Sequence, residues 1–317
     1  SSAVYNDMEK ELPELLSLLS KAPSLLFIDS YFVTEPYLQA FSGICPVAYL
    51  DDLQLFDYPV DLVINYDVIP EDMLPSYQAA YKRAGQTLLG ASYTPLRSQF
   101  QMEVPAVRPS VKDILITTGG SDPYHFCLNL LSCFQERLSA LIAEPDFHLH
   151  VLIGSLNEDK RLLMELAEEL PFLKLHENVT DMATLMASCD LAISAAGTTL
   201  YELCAVGIPA VSYSFADNQL PSSLAFANVG AVPYAGDLRV DTESCSIVPS
   251  PDSKDTGSAH GLPDVLSAVC HFVTDMSGNI AKRKSAQQSM HRLIDGKGSY
   301  RIAGALEECA FHNFRSP

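Results

Sequence analysis

The chain has 317 residues, 48% of them apolar and 19% charged, more than one ordinary core holds, so two globular domains are expected. Twenty basic against 39 acidic side chains leave a formal charge of −19, which argues against a nucleic-acid backbone or an anionic lipid surface as partner. No apolar run approaches the roughly 20 residues that span a bilayer, so membrane insertion is not expected.

In chain order, Leu12, Leu15, Leu16 and Leu19 mark a first helix, and Leu25–Asp29 reads as a short strand. Thr34 caps a short helix. Val47–Leu50 and Asp61–Asn65 read as strands, Glu71–Ala84 as a helix, Gln86–Leu89 as a strand and Tyr93–Phe100 as a short helix. Val104–Val111 holds two prolines, Pro105 and Pro109, without a period, the mark of a linker. Strand and helix patterns then resume. The strands are Asp113–Thr118, Phe147–Ile153, Asp190–Ser194 and Pro209–Phe215. The helices are Phe126–Ala143, Glu158–Leu170, Thr198–Val206, Pro221–Asn228, Leu262–Asp275, Ile280–Leu293 and Arg301–His312. Asp241–Pro263, rich in Ser, Asp, Pro and Gly, reads as a surface insertion.

Continuous apolar strands alternating with helices predict an α/β chain with parallel sheets covered on both faces. The expected domains are 1–105 and 106–300, with 301–317 as a C-terminal helix. The eight cysteines form no C-x-x-C, and Cys127, Cys189, Cys204 and Cys270 sit in apolar patterns. Free thiols in a reducing cytoplasm are expected. With so few cations, a bound phosphate would rest on backbone N–H groups at helix starts.

Ligands of open parallel sheets lie beyond the carboxyl ends of the strands, and three motifs stand there. In the first, Asp113–Thr118 runs into Gly119, Gly120, Ser121 and Asp122. Two glycines allow close approach of a ligand, though an ordinary turn with an Asp cap has the same form. In the second, Ser194, Ala195, Ala196 and Gly197 lead into a helix opened by Thr198 and carrying Glu202. Small residues and hydroxyls at a helix start suit a diphosphate, and Glu202, one turn on, can accept from ribose hydroxyls or simply complement the helix dipole. The third is Asp217, Asn218 and Gln219, whose amides can bond a sugar or cap a helix. No G-x-G-x-x-G follows a strand, so a dehydrogenase is not expected.

These runs, with Ser188-Cys-Asp190, Tyr201-Glu202 and Gly207-Ile-Pro209, resemble the C-terminal domain of UDP-sugar enzymes of the GT-B type. Asp29-Ser-Tyr31, Asp51-Asp52, Asp61-Leu-Val-Ile-Asn65, Leu88-Leu-Gly-Ala-Ser-Tyr93-Thr-Pro-Leu-Arg97-Ser-Gln-Phe100 and Ile294-Asp-Gly-Lys-Gly-Ser-Tyr-Arg301-Ile are similar to the UDP-2,4-diacetamido-2,4,6-trideoxy-β-L-altropyranose hydrolases of pseudaminic acid synthesis. The resemblance implies two Rossmann-like domains and water attack on the anomeric carbon of a UDP-sugar, releasing UDP and free sugar without metal or cofactor. It implies that Tyr93 and Asn218 are active-site residues and that Glu202 binds the ribose. It also implies that Gly119, Gly120, Asp122, Ser194, Ala195, Ala196, Gly197, Thr198 and Gln219 line the substrate. A soluble monomer is expected.

The family's Gly-rich loop, ending in a histidine proposed as the base, has no counterpart in this sequence. The first domain is therefore expected to be truncated, with its opening strands before Ser1. His148 and His150 alternate in a strand and read as structural. His125 follows the Gly-Gly turn and could approach a ligand. A glycosyltransferase using the same donor, or an inactive UDP-sugar-binding protein, are the alternatives.

Overall fold

The computed structural model describes residues 7–19, 25–239 and 261–312. The chain opens with helices α1 (Leu12–Leu19), α2 (Glu35–Gln39) and α3 (Leu74–Ala80), among strands β1 (Leu26–Asp29), β2 (Val47–Leu50), β3 (Leu62–Asn65) and β4 (Gln86–Leu89). Then follow β5 (Asp113–Thr117), α4 (Phe126–Arg137), α5 (Ser139–Ile142), β6 (His148–Leu152), α6 (Lys160–Glu169), β7 (Leu173–His176) and α7 (Met182–Ala187). The chain continues through β8 (Leu191–Ala195), α8 (Thr198–Val206), β9 (Ala210–Ser214), α9 (Leu220–Asn228) and β10 (Tyr234–Asp237). Helices α10 (Leu262–Ser277), α11 (Ile280–Leu293) and α12 (Gly298–His312) complete it. Most of the expected insertion at 241–263 lies outside the described residues. No helix among them is long and apolar enough to cross a membrane.

The chain divides into two compact units, Ser1–Leu96 with Lys297–Pro317, and Arg97–Gly296. The boundaries differ from those read in the sequence, and the last helix joins the first unit. Its sheet is parallel throughout, in the order β1-β2-β3-β4. Alternate side chains divide between its faces. Ile28, Tyr49 and Val63 pack with Tyr37, Phe41, Tyr58 and Tyr81, while Ala48, Leu62, Ile64 and Leu88 pack with Ile302 and Ala305 of α12. That apolar stripe fixes α12 on this sheet, each fully buried large side chain contributing about 1.5–3 kcal/mol.

The expected helix over Tyr93–Phe100 is instead two short 3₁₀ turns, Ala91–Tyr93 and Ser98–Phe100. Pro95 is the reason: it disfavours helical backbone at Thr94, which takes ψ 122°. The start of α12 clamps the first turn. Ser299 Oγ donates to Leu96 O at 2.7 Å and Arg301 Nη1 to Ser92 O at 2.8 Å. A Cβ on Gly298 would collide with the backbone of Thr94. Gly298→Ala is expected to destabilise the first unit by about 1–3 kcal/mol, the usual cost of overpacking, read as a lower denaturant midpoint. An unchanged midpoint would show that the clamp gives way freely.

The second sheet is also parallel, in the order β10-β9-β8-β5-β6-β7. Numbered from β5 as the first, this is 3-2-1-4-5-6, the Rossmann order. Its core joins Ile114, Ile116, Leu149, Val151, Leu191, Ile193, Val211 and Tyr213 with Phe126, Leu130 and Phe134 of α4 and Val265, Val269 and Val273 of α10. Strands β7 and β10 and helix α7 add to the predicted set, and the helix expected over Phe126–Ala143 breaks at Leu138.

The expected linker at Val104–Val111 is bound into the second unit. Arg108 makes a two-pronged bond with Asp190, both contacts 2.6 Å, and donates to Ser188 O at 3.0 Å. Arg283 of α11, 1% exposed, donates to Arg108 O at 2.7 Å and Pro109 O at 2.9 Å. It also holds the C-terminal carbonyls of α10, Met276 O at 2.7 Å and Ser277 O at 3.2 Å. A segment with its carbonyls so engaged is a strap rather than a hinge.

Candidate functional site

In the strand order 3-2-1-4-5-6 the topological switch falls between β5 and β8, and the crevice beyond their carboxyl ends is where such sheets bind ligands. Two of the loops singled out in the sequence leave these two strands.

After β5, Gly119 takes φ +76°, and Gly119 and Gly120 are exposed. Asp122 is 5% exposed. Its two carboxylate oxygens accept from Phe126 N at 2.8 Å and Cys127 N at 2.9 Å, so it holds the loop to the start of α4. Gly154, beyond the end of β6, braces the same loop. A Cβ there would collide with the carbonyls of Gly119 and Gly120, and Leu156 N donates to Gly120 O at 2.9 Å. His125 Nδ1 lies 2.7 Å from Asp159 Oδ2, which raises its pKa.

After β8, Ser194 is fully buried and its hydroxyl donates to Ala195 O at 2.9 Å. Ala195 and Ala196 are buried and offer backbone only. Gly197 is half-exposed and Thr198 exposed at the start of α8, where no side chain caps the helix. The amides of the first turn thus keep their anion-binding capacity. Glu202 is half-buried, which raises its carboxyl pKa, and it accepts from Arg97 Nη2 at 3.2 Å. Arg97 is 60% exposed and lies over the Phe100 ring, 5.4 Å from its centroid. An exposed guanidinium at the first turns of α8 is a group of the kind that bonds a phosphate in two prongs. Arg97 and Glu202 stand 105 positions apart, so the sequence does not announce their meeting.

After β9, Gln219 Oε1 accepts from Phe215 N at 2.9 Å, closing the turn. Asn218 is exposed on that turn, and Asp217 pairs with Arg239, which also grips Asp237.

In the first unit, Tyr93 is half-buried against the α12 face of the sheet. The carboxyl ends of β2 and β3 carry a tyrosine–carboxylate network. Asp51, 1% exposed, accepts from Tyr81 OH at 2.7 Å, Tyr58 OH at 2.9 Å, and Leu53 N and Gln54 N at 3.1 Å. Asn65 donates to Tyr81 OH at 3.0 Å. Burial raises the pKa of Asp52, bonded by Tyr31, and of Asp67, bonded by Tyr77. The 780 Å³ hollow of this unit, bordered by Phe41, Cys45, Val47, Asp61 and Gly85, opens at the amino ends of the strands and is remote from these groups.

No family model matches the chain. It is 25% identical over 221 residues, 69% of its length, to the spore coat polysaccharide biosynthesis protein SpsG of Bacillus subtilis, of which the match covers 57%. It is 28% identical over 145 residues, 46% of its length, to the pseudaminic acid cytidylyltransferase and UDP-2,4-diacetamido-2,4,6-trideoxy-β-L-altropyranose hydrolase of Helicobacter pylori, of which the match covers 25%. The chain therefore spans little more than half of one curated relative and a quarter of the other. Among solved structures, MurG of Acinetobacter baumannii superposes with a TM-score of 0.55 at 15% identity, over 94% of this chain and 78% of that one. The fold is thus that of the GT-B enzymes, two parallel-sheet α/β units.

Proposed function

We propose that the protein hydrolyses a UDP-activated deoxy-diacetamido sugar to UDP and free sugar, in the synthesis of a nonulosonic acid such as pseudaminic acid. The observation that carries the reading is the uncapped start of α8, which follows β8, the neighbour of β5, with Glu202 and Arg97 converging one turn inside it. In this reading the amides at Gly197–Thr198 and the Gly119–Gly120 backbone hold the diphosphate, and charge growing on the leaving UDP is stabilised there. Glu202 accepts from the ribose hydroxyls, and Arg97 turns from Glu202 to the diphosphate. Tyr93 and Asn218 position water or sugar. The names of both curated relatives, which concern carbohydrate biosynthesis, are in keeping with this reading.

Glu202→Ala and Arg97→Ala are each expected to weaken UDP binding about tenfold to a hundredfold, the scale of a hydrogen bond to a charged group. Equilibrium titration of each variant checks this, and unchanged affinity in both would remove them from the site. Incubation with the UDP-sugar alone tests the reaction. Release of UDP with a reducing sugar is expected. Release only on adding an acceptor would make the protein a transferase, and binding without release would make it an inactive UDP-sugar-binding protein.

A further inference from the structure

A second group of chemistry-bearing side chains in the second unit stands apart from the nucleotide loops. Strand β6 reads His-Leu-His-Val-Leu. Leu149 and Val151 enter the core, and His148 and His150 stand half-exposed on the opposite face. The register sets Asp113, the first residue of β5, beside His148. One carboxylate oxygen of Asp113 lies 3.2 Å from His148 Nδ1 and 2.8 Å from His150 Nε2. The three donor atoms are within 4.8 Å of one another. On its far side, His150 Nδ1 lies 2.9 Å from His176 Nε2 of β7, the two rings stacked at 5.1 Å. These groups border an open hollow of about 670 Å³ at the amino ends of the strands.

We propose that Asp113, His148 and His150 form a binding site for one divalent transition-metal ion, with Zn²⁺ as the ion of choice. Two imidazoles and one carboxylate are a donor set of the borderline kind that suits zinc. Ligands at about 2.0–2.2 Å from a tetrahedral ion stand roughly 3.4 Å apart, so the groups at 2.8 and 3.2 Å need to part only slightly. Three protein ligands leave the fourth position to water, which the open hollow admits. His176 supports the ring of His150 as an outer-shell partner of a metal-bound histidine does. Arg108 opposes a cation, since it binds the second oxygen of Asp113 at 2.8 Å. Asp190 answers it at 2.6 Å, so two carboxylates share one guanidinium, with Lys174 of β7 bordering the same hollow. The ion would join β5 to β6 about 20 Å along the chain direction from Gly119, given about 3.3 Å per residue, and so would stabilise the unit without entering the reaction.

The test is titration of the metal-free full chain with Co²⁺, followed by visible absorption, and with Zn²⁺, followed by calorimetry and melting temperature. One equivalent per chain, tetrahedral cobalt bands and a raised melting temperature are expected. The paired variant His148→Ala with His150→Ala is expected to lose all three while remaining folded by circular dichroism, because the core side chains of β6 are Leu149 and Val151. His176→Ala is expected to keep the stoichiometry and weaken affinity about 10- to 100-fold. A folded wild-type protein that takes up neither ion overturns the proposal. So does uptake that survives in the paired variant, which would assign it elsewhere, cysteines included.

Discussion

Gly154→Ala is expected to weaken UDP binding by on the order of 10²-fold, although Gly154 lies in neither loop that approaches the ligand. The added methyl meets backbone carbonyls of Gly119 and Gly120, not the yielding tip of a side chain, so the loop itself must move. A displacement of about 1 Å in a positioning group is enough for an effect of that size. Overpacking costs a further ~1–3 kcal/mol of stability. Gly120→Ala separates the two causes. Its Cβ meets nothing within 4 Å, so stability stays as it is and only the close approach of a ligand is obstructed. Titration and melting of both variants check the pair of outcomes. Full affinity in both would mean that the loop does not touch the nucleotide.

Arg283→Met is the second large effect, on stability alone. It keeps much of the side-chain volume but leaves four carbonyls, those of Met276, Ser277, Arg108 and Pro109, without their donor. A loss of about 3–5 kcal/mol is expected. For a unit of this size that is a fall of roughly 10 °C in melting temperature. Arg283→Lys keeps a positive charge beside the end of α10 but cannot fork to all four groups, so an intermediate fall is expected. A change below about 1 kcal/mol in Arg283→Met would show that water satisfies those carbonyls and that the strap at Val104–Val111 is loosely held.

Much of the second unit is legible in the sequence. Strands β5, β8 and β9 are apolar runs buried on both faces, and each ends in small or polar residues that the following helix needs. Strands β7 and β10 are edges of four residues each (Leu-Lys-Leu-His and Tyr-Ala-Gly-Asp), too short for a period to stand out. The strap at Val104–Val111 has the composition of a linker. Only its partners Asp190, Arg283 and Gln287, from 80 to more than 170 positions away, give it a different role. The membership of α12 in the first unit is likewise tertiary: Ile302 and Ala305 say that the helix is amphipathic, not which sheet it covers.

The candidate site divides in the same way. Gly119, Gly197, Thr198 and Glu202 are legible because a glycine or hydroxyl at a helix start has a local reason. Asp122 and Ser194 carry the same local signals, yet the structure commits the carboxylate to capping α4 and buries the hydroxyl. Gly154 and Arg97 escape a linear reading because what they meet belongs to other loops. His148 and His150 read as structural in the strand pattern, and only the register with Asp113 brings them to one carboxylate oxygen.

The most direct test of the account is calorimetric titration of the folded chain with UDP and, in parallel, ADP. One UDP per chain is expected, with ADP weaker by at least about tenfold and the UDP signal reduced in Glu202→Ala. Binding of neither nucleotide, or equal binding of both with no effect of Glu202→Ala, would contradict it.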